Sequence, residues 1–175
     1  MEYVWWAKVM SNTVYQFEDF LEFLTEVDDD CRSFVTEVHK RLLQRNCKIK
    51  ISSTKAYPFQ VAYTMPKSRK GILNFYLRKK GLKVRITIIN PAKHSDVLNN
   101  LPEKMVSQIK KKNICKEACG EKKCFDNCIG GYNFHIRETH YRRCRFDCFQ
   151  LDVDTESIPF FLELLESELK ERLTA

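Results

Sequence analysis

Six of the eight cysteines lie between residues 115 and 148, in three pairs whose members are separated by three residues. Zinc binds four thiolate or imidazole ligands in a tetrahedron, and small structural sites usually take two ligands from each of two local pairs that a hairpin brings together. The type and spacing of these residues therefore predict a zinc site. The six cysteines are Cys115, Cys119, Cys124, Cys128, Cys144 and Cys148.

One zinc ion needs only four of these six thiols. Two cysteines directly precede a Gly-Gly turn that lets the backbone fold tightly around a metal, one lies on the returning strand, and one follows a predicted helix. Four thiolates would fill the coordination sphere, so the predicted ion is structural and not catalytic. The preferred ligands are Cys115, Cys124, Cys128 and Cys144, and the alternates are Cys119, Cys148 and His140.

The same cysteines have two other interpretations. In one they are inert buried thiols, and in the other they form disulfides or act as a redox switch. A nucleophilic cysteine needs a base, and His140 lies four residues before Cys144. However, the chain carries no phosphate-binding loop, hydrolase nucleophile turn or zinc-protease helix. With no recognisable catalytic constellation, the sequence favours a non-enzymatic function.

The middle of the chain is strongly basic. Residues 48–112 contain sixteen Lys or Arg and two acidic residues, while the segments on either side are net acidic. One face of a predicted hairpin combines basic side chains with an aromatic ring, and such a face can contact phosphates and stack on bases. The alternative is a solvated sheet face whose cations pair with the acidic terminal segments. The residues predicted to bind an anionic partner such as nucleic acid are Tyr76, Arg78, Lys83 and Arg85.

Hydrophobic periodicity predicts the elements that position these residues. Apolar residues at three- and four-residue spacing indicate amphipathic helices, and alternation indicates half-buried strands. Gly81 can supply the positive φ of the main hairpin turn, and the isolated Cys31 and Cys47 are expected in the core. Helices are predicted at 15–27, 28–45, 95–98, 102–112 and 155–173, and strands at 48–52, 59–64, 71–89 (a hairpin), 132–144 (a hairpin) and 146–153.

These elements predict a single α+β domain over residues 1–175. It consists of an antiparallel sheet with N-terminal helices, a cysteine-rich zinc-type hairpin segment at 113–153, and a C-terminal helix. A chain of 175 residues with 43% hydrophobic content can bury one sizeable core. We find no signal-peptide core and no apolar run long enough to span a membrane, so we expect a cytoplasmic protein.

Several sequence runs resemble those of a group of uncharacterised bacterial, clostridial-type proteins. They are LNFYLRKKGLKVRI, ICK at 114–116, KCFDNC at 123–128, GGYNF, and YRRCRFDCF ahead of the C-terminal helix. The resemblance covers roughly residues 55–172 and implies no activity. It does imply cysteines at the four preferred ligand positions, with Cys119 and Cys148 more variable.

Taken together, these features predict an intracellular binding protein with a structural zinc ion and a basic sheet face for an anionic partner, nucleic acid being one such partner. One alternative is a small-molecule-binding domain or enzyme that uses a cleft between sheet and helices. A second alternative is a thiol redox sensor.

Overall fold

The computed structural model describes residues 18–66, 70–122 and 128–174. The chain divides into two compact units, Met1–Leu82 and Lys83–Ala175. The boundary falls inside one strand, β4 (Gly81–Ile86). The single domain expected over residues 1–175 therefore stays a prediction.

The first unit contains two helices and three further strands, all at predicted positions. The second helix carries acidic residues in its first turn, where they complement the helix dipole. The helix ends at Gln44, and the φ of 56° at Asn46 lets the amides of Asn46 and Cys47 donate to the carbonyls of Leu43 and Leu42, at 2.8 and 3.0 Å. Residues 15–17 of the first predicted helix lie outside the described residues. The elements are α1 (18–25), α2 (Asp29–Gln44), β1 (Lys48–Ser52), β2 (Phe59–Thr64) and β3 (Gly71–Arg78).

Aromatic rings form much of the core of the first unit. Phe75 of β3 meets Phe34 of α2 edge-on, with ring centroids 6.0 Å apart. His39 of α2 stacks on Phe20 of α1 at 3.7 Å, and its Nδ1 lies 2.7 Å from the hydroxyl of Tyr63 in β2. Burial lowers the pKa of His39, so the imidazole is neutral in this core at neutral pH. These contacts join both helices to the strands. Cys31 and Cys47 are also buried, as expected.

The second unit contains three helices, a hairpin, one further strand and, besides a 3₁₀ turn at Glu117–Cys119, a 3₁₀ turn that precedes the first of these helices. The turn begins where Asn90 accepts a hydrogen bond from the amide of Ala92 at 3.1 Å, with Pro91 fixing the first φ angle. No helix in the described ranges is both long enough and apolar enough to cross a membrane. The elements are the 3₁₀ turn (Pro91–His94), α3 (Ser95–Asn99), α4 (Glu103–Lys110), β5 (Tyr132–Ile136), β6 (Thr139–Arg143), β7 (Gln150–Asp152) and α5 (Ile158–Thr174).

The strand pairing is antiparallel. Five strands form one sheet in the order β1-β2-β3-β4-β7, and β5 and β6 form a separate two-stranded hairpin. Gly81 has a φ of 109° at the start of β4, as the turn chemistry predicts. The predicted α+β class, with N-terminal helices, an antiparallel sheet, a hairpin and a C-terminal helix, is confirmed.

The strand predicted over residues 146–153 is wrong in its first half. Residues 145–149 form turns instead, because the amide of Cys148 donates to the carbonyl of Cys144 at 3.0 Å. Only the last part of the prediction survives, as β7. Strand β4 likewise stops short of the predicted residue 89. In both places the alternation of apolar residues extends beyond the residues whose backbone pairs with a neighbouring strand.

A fully buried carboxylate, that of Glu168, joins α5 to the rest of the second unit. Its Oε2 lies 2.9 Å from His94 Nε2, and its Oε1 accepts from Arg172 Nε at 2.6 Å. The amide of Ile89 donates to both oxygens, at 3.1 and 3.3 Å. The other ring nitrogen of His94 lies 2.8 Å from the Ser167 hydroxyl. A charge buried among this many partners is tolerated only while the partners remain.

Replacing Glu168 with Ala should lower the free energy of unfolding by about 3–5 kcal/mol, because Arg172 would be left as a buried charge without its carboxylate. Glu168→Gln keeps the side-chain shape and should lose less. Glu163→Ala, at an exposed position of the same helix, is the control and should change stability by at most about 0.5 kcal/mol. Chemical denaturation measures all three. A Glu168→Ala protein as stable as the Glu163→Ala control would contradict this account.

Candidate metal centre

Two of the predicted zinc ligands lie on neighbouring backbone segments of the second unit. Ile114 forms an isolated antiparallel bridge with Arg143 at the end of β6. The amide of Cys115 donates to the carbonyl of Arg142 at 3.3 Å, and the amide of Cys144 donates to the carbonyl of Asn113 at 2.8 Å. Residues 113–115 thus run alongside residues 142–144. The bridge brings Cys115 and Cys144 into the same region.

A third cysteine-bearing segment reaches the same place through Gly131. A Cβ atom added to Gly131 would lie 2.3 Å from Cys115 Cβ, 2.4 Å from Cys115 Sγ and 2.7 Å from the Arg143 carbonyl oxygen. Only glycine fits this approach. Cys128, three residues earlier, is buried with 7% of its surface exposed. The Gly-Gly turn seen in the sequence therefore acts by placing the backbone after Cys128 directly against Cys115.

The pair Cys144 and Cys148 spans one turn of backbone. Cys148 is fully buried, and burial raises the pKa of its thiol; Asp147 adds to the rise, while Arg143 and Lys112 oppose it. Burial also raises the pKa of Cys144, which is half-buried. Both sulfurs are therefore neutral thiols at neutral pH unless a metal displaces their protons.

The remaining predicted ligands are placed differently. Cys119 is exposed at the end of a 3₁₀ turn (Glu117–Cys119), and Cys124 lies outside the described residues. Within residues 18–66, 70–122 and 128–174, no three Cys, His, Asp or Glu side chains are grouped so that they could hold a metal. The zinc site and its ligand set therefore stay predictions, and the structure adds the convergence of the segments that carry Cys115, Cys128 and Cys144.

His140, an alternate zinc ligand, lies on the exposed face of the β5–β6 hairpin. It pairs across the strands with His135, and the two rings are stacked with centroids 4.7 Å apart and an interplanar angle of 19°. His140 Nε2 contacts the side-chain oxygen of Asn133. The pKa of His140 is lowered by desolvation, by His135 and by the charge of Arg142. The hairpin thus presents two facing imidazoles to solvent.

The tip of this hairpin is fixed by Arg137, which the sequence analysis did not single out. Arg137 has a φ of 54°, and its amide donates to the side-chain oxygen of Asn99. Its guanidinium donates to the carbonyl of Leu101 at 3.1 Å and pairs with the carboxylate of Glu103. A cleft of about 380 Å³ adjoins the tip. It is lined by Ala92, Ser95, Asn99, Asn133, Phe134, His135 and Arg137.

The two predicted anion-binding residues of the first unit, Tyr76 and Arg78, both contact Tyr57, which the sequence analysis did not single out. Tyr76 is buried, and its ring centroid lies 4.8 Å from that of Tyr57. Arg78 is exposed, donates to the Tyr57 hydroxyl at 2.8 Å and places its guanidinium 4.9 Å from that ring's centre. Tyr76 was expected on a solvated face, but β3 is buried on both faces. Its ring is therefore covered and is not free to stack on a base.

The predicted basic residues of the second unit also make internal contacts. Lys83 forms an ion pair with Asp152 at 2.8 Å, and Arg85 donates to the carbonyl of Phe146 at 3.4 Å. The Lys83 contact is of the kind that the alternative interpretation expected, a pairing of a basic strand with the acidic C-terminal segment. An anionic partner would compete with this pairing.

Ser167, His94 and Glu168 have the order of residues found in a hydrolytic relay, in which the acid orients the base and the base activates the hydroxyl. The side chains of His94 and Glu168 are only 1% and 0% exposed, and Arg172 holds the same carboxylate. A substrate cannot reach the imidazole. The arrangement is therefore structural.

Substituting Gly131 with Ala should destabilise the second unit, because the new methyl group would overlap the Cys115 side chain and the Arg143 carbonyl. Overpacking of this kind costs about 1–3 kcal/mol. Gly71→Ala is a matched control, since an added Cβ there meets nothing within 4 Å. Thermal unfolding of the two variants measures the difference. Equal melting temperatures would show that the backbone does not approach Cys115 as described.

Comparison of the chain with protein-family models, with curated proteins and with solved structures finds no match. The resemblance to clostridial-type proteins therefore stays a prediction. The function of the protein is inferred from the geometry of its own residues.

Proposed function

We propose that the protein is a non-catalytic binding protein whose second unit is fastened by a structural zinc ion. The preferred ligands remain Cys115, Cys124, Cys128 and Cys144. The observation that carries this proposal is the convergence of three cysteine-bearing segments, through the Ile114–Arg143 bridge and the approach of Gly131 to Cys115. Zinc is the usual ion for thiolates from such converging segments.

In the described part of the cysteine-bearing segment, exposed apolar residues stand next to the buried cysteines. Ile114 and Ile129, each next to a preferred ligand, are 61% and 65% exposed. Between α4 and β5 the described residues form one isolated bridge and one 3₁₀ turn. Burial of apolar surface therefore contributes little there, and a bound metal would supply the missing folding free energy.

The charges around Cys144 and Cys148 are mixed: Arg143 and Lys112 favour the thiolate form of Cys148, whereas Asp147 disfavours the thiolate at both cysteines. Four thiolates and one Zn²⁺ carry a net negative charge, which nearby cations stabilise. Arg143 is held in place by donating to the carbonyls of Ile109 and Lys110, both at 3.1 Å, at the C-terminal end of α4. Its position favours the anionic form of Cys148 and, by proximity, a thiolate cluster in this region.

Protein purified without added metal should contain about one zinc per chain, as a single four-thiolate site requires. Serine substitution of Cys115, Cys124, Cys128 or Cys144 should remove the zinc, whereas Cys119→Ser and Cys31→Ala should keep it. Elemental analysis and circular dichroism before and after chelation test both the metal and the fold. Full folding without metal would overturn the proposal. A disulfide in that metal-free protein would favour the thiol redox alternative.

The partner that we propose for this binding protein is anionic, with nucleic acid as the class to test first. Support comes from the charge of residues 48–112 and from the number of cations in the first unit that reach solvent. A partner would bind these exposed side chains and Arg78 more readily than Tyr76, Lys83 or Arg85, which have internal contacts. Within the basic region, the exposed lysines among the described residues of 48–82 are Lys48, Lys50, Lys55, Lys70, Lys79 and Lys80.

Binding to a single-stranded DNA or RNA oligonucleotide should weaken as salt rises, by about 50-fold between 50 and 200 mM salt for four phosphate contacts. Changing the exposed Arg78, Lys79 and Lys80 to Glu should weaken it further and reduce the salt dependence. Lys40→Glu, an exposed charge reversal on α2, is the control. Fluorescence anisotropy measures each affinity. Absence of binding at low salt would remove this partner class, and a small ligand that raises the melting temperature would favour the cleft-based alternative instead.

A further inference from the structure

We propose a second metal site, for a divalent transition-metal ion such as Ni²⁺, on the exposed face of the β5–β6 hairpin. Its ligands are the imidazoles of His135 and His140 and the side-chain oxygen of Asn133. This site is separate from the thiolate centre and does not depend on it. It would bind and release metal readily, because water fills the positions that the three protein ligands leave open.

The geometry brings three neutral donors to one place. His135 and His140 are direct cross-strand partners in the register of the hairpin, and their rings face each other at 4.7 Å. Asn133 precedes His135 by two residues, so both side chains project from the same face of β5. The Asn133 oxygen already contacts His140 Nε2. Metal binding would turn the two imidazoles out of their stacked arrangement, because the nitrogen lone pairs lie in the ring planes and those of two parallel rings do not meet at one ion; the cross-strand register keeps both side chains within reach of it.

The backbone of the hairpin is held at its tip and along its inner face. Arg137 at its tip is tied to Asn99, Leu101 and Glu103 by its amide and guanidinium. Alternate residues on the other face of β5 and β6 are buried, among them Phe134, whose ring stacks with that of Tyr141 at 5.7 Å. The backbone that carries the imidazoles is therefore fixed at the hairpin tip and along its inner face, so metal binding has to order little besides the ligand side chains.

The chemistry of the donors selects the ion. Imidazole nitrogen suits Ni²⁺, Cu²⁺ and Zn²⁺, while the absence of carboxylates among the three donors disfavours Ca²⁺ and Mg²⁺. Both rings must be unprotonated to bind a metal ion, so binding should weaken as the pH falls.

Titration of the zinc-loaded, ¹⁵N-labelled full chain with Ni²⁺ tests the site by NMR. Paramagnetic broadening should be strongest at the amides of residues 133–142. His135→Gln and His140→Gln should each weaken Ni²⁺ binding at least about tenfold, since even removal of an outer-sphere group has an effect of that size. Glu138→Gln, which alters an exposed charge at the hairpin turn, should bind Ni²⁺ as the natural chain does.

Three results would overturn the site. They are a lack of broadening, broadening centred on residues 113–115 and 144–148, and unchanged Ni²⁺ affinity in both histidine variants. The second result would place the ion on the cysteines. Loss of the structural zinc in the cysteine variants, by contrast, concerns the thiolate centre alone and leaves Ni²⁺ binding at the hairpin to be measured in the natural chain.

Discussion

The buried carboxylate of Glu168 is the interaction on which the second unit depends. Burying a charge is unfavourable unless ion pairs and hydrogen bonds replace its hydration. Here a guanidinium, an imidazole and a backbone amide replace it, and these come from α5, the 3₁₀ turn and the segment after β4. The same segment accepts a hydrogen bond from the Tyr132 hydroxyl, at the Ile88 carbonyl, at 2.6 Å. The carboxylate thereby positions the segment to which Tyr132 of the β5–β6 hairpin is hydrogen-bonded.

The hairpin divides the chemistry of the second unit between its two faces. Its inner residues are aromatic and buried, its outer residues include the two histidines, and its end leads through Arg143 to Cys144. Arg143 connects these parts, because its backbone faces Ile114 while its guanidinium binds the last carbonyls of α4. Arg143 thus keeps two cysteine-bearing segments close together. It also donates hydrogen bonds to carbonyl groups that would otherwise be unpaired at the C-terminal end of α4.

Local periodicity predicted most of the helices and strands, though not the bounds of two of the strands, and it did not predict what covers them. The spacing of apolar residues in α2 and the alternation in β1 and β2 reflect the regular geometry of a single helix or strand. Both can therefore be read directly from the sequence. The burial of Tyr76 depends on Tyr57, which lies far from it in the chain. The buried state of Glu168 depends on His94 in the same way. Its i, i+4 relation to Arg172 looks in sequence like an ordinary surface pair.

Cys148 shows why the sequence could not choose four thiols from six. Alternation predicts it on a strand, as a small core residue, yet it ends a turn that begins at Cys144. Burial favours its neutral thiol, which argues for a core role, whereas Arg143 and Lys112 favour the thiolate, which argues for a ligand. Burial is the larger effect without a metal. A zinc ion adds two positive charges, enough to reverse that balance, so the choice between Cys148 and Cys124 depends on which sulfur the metal can reach.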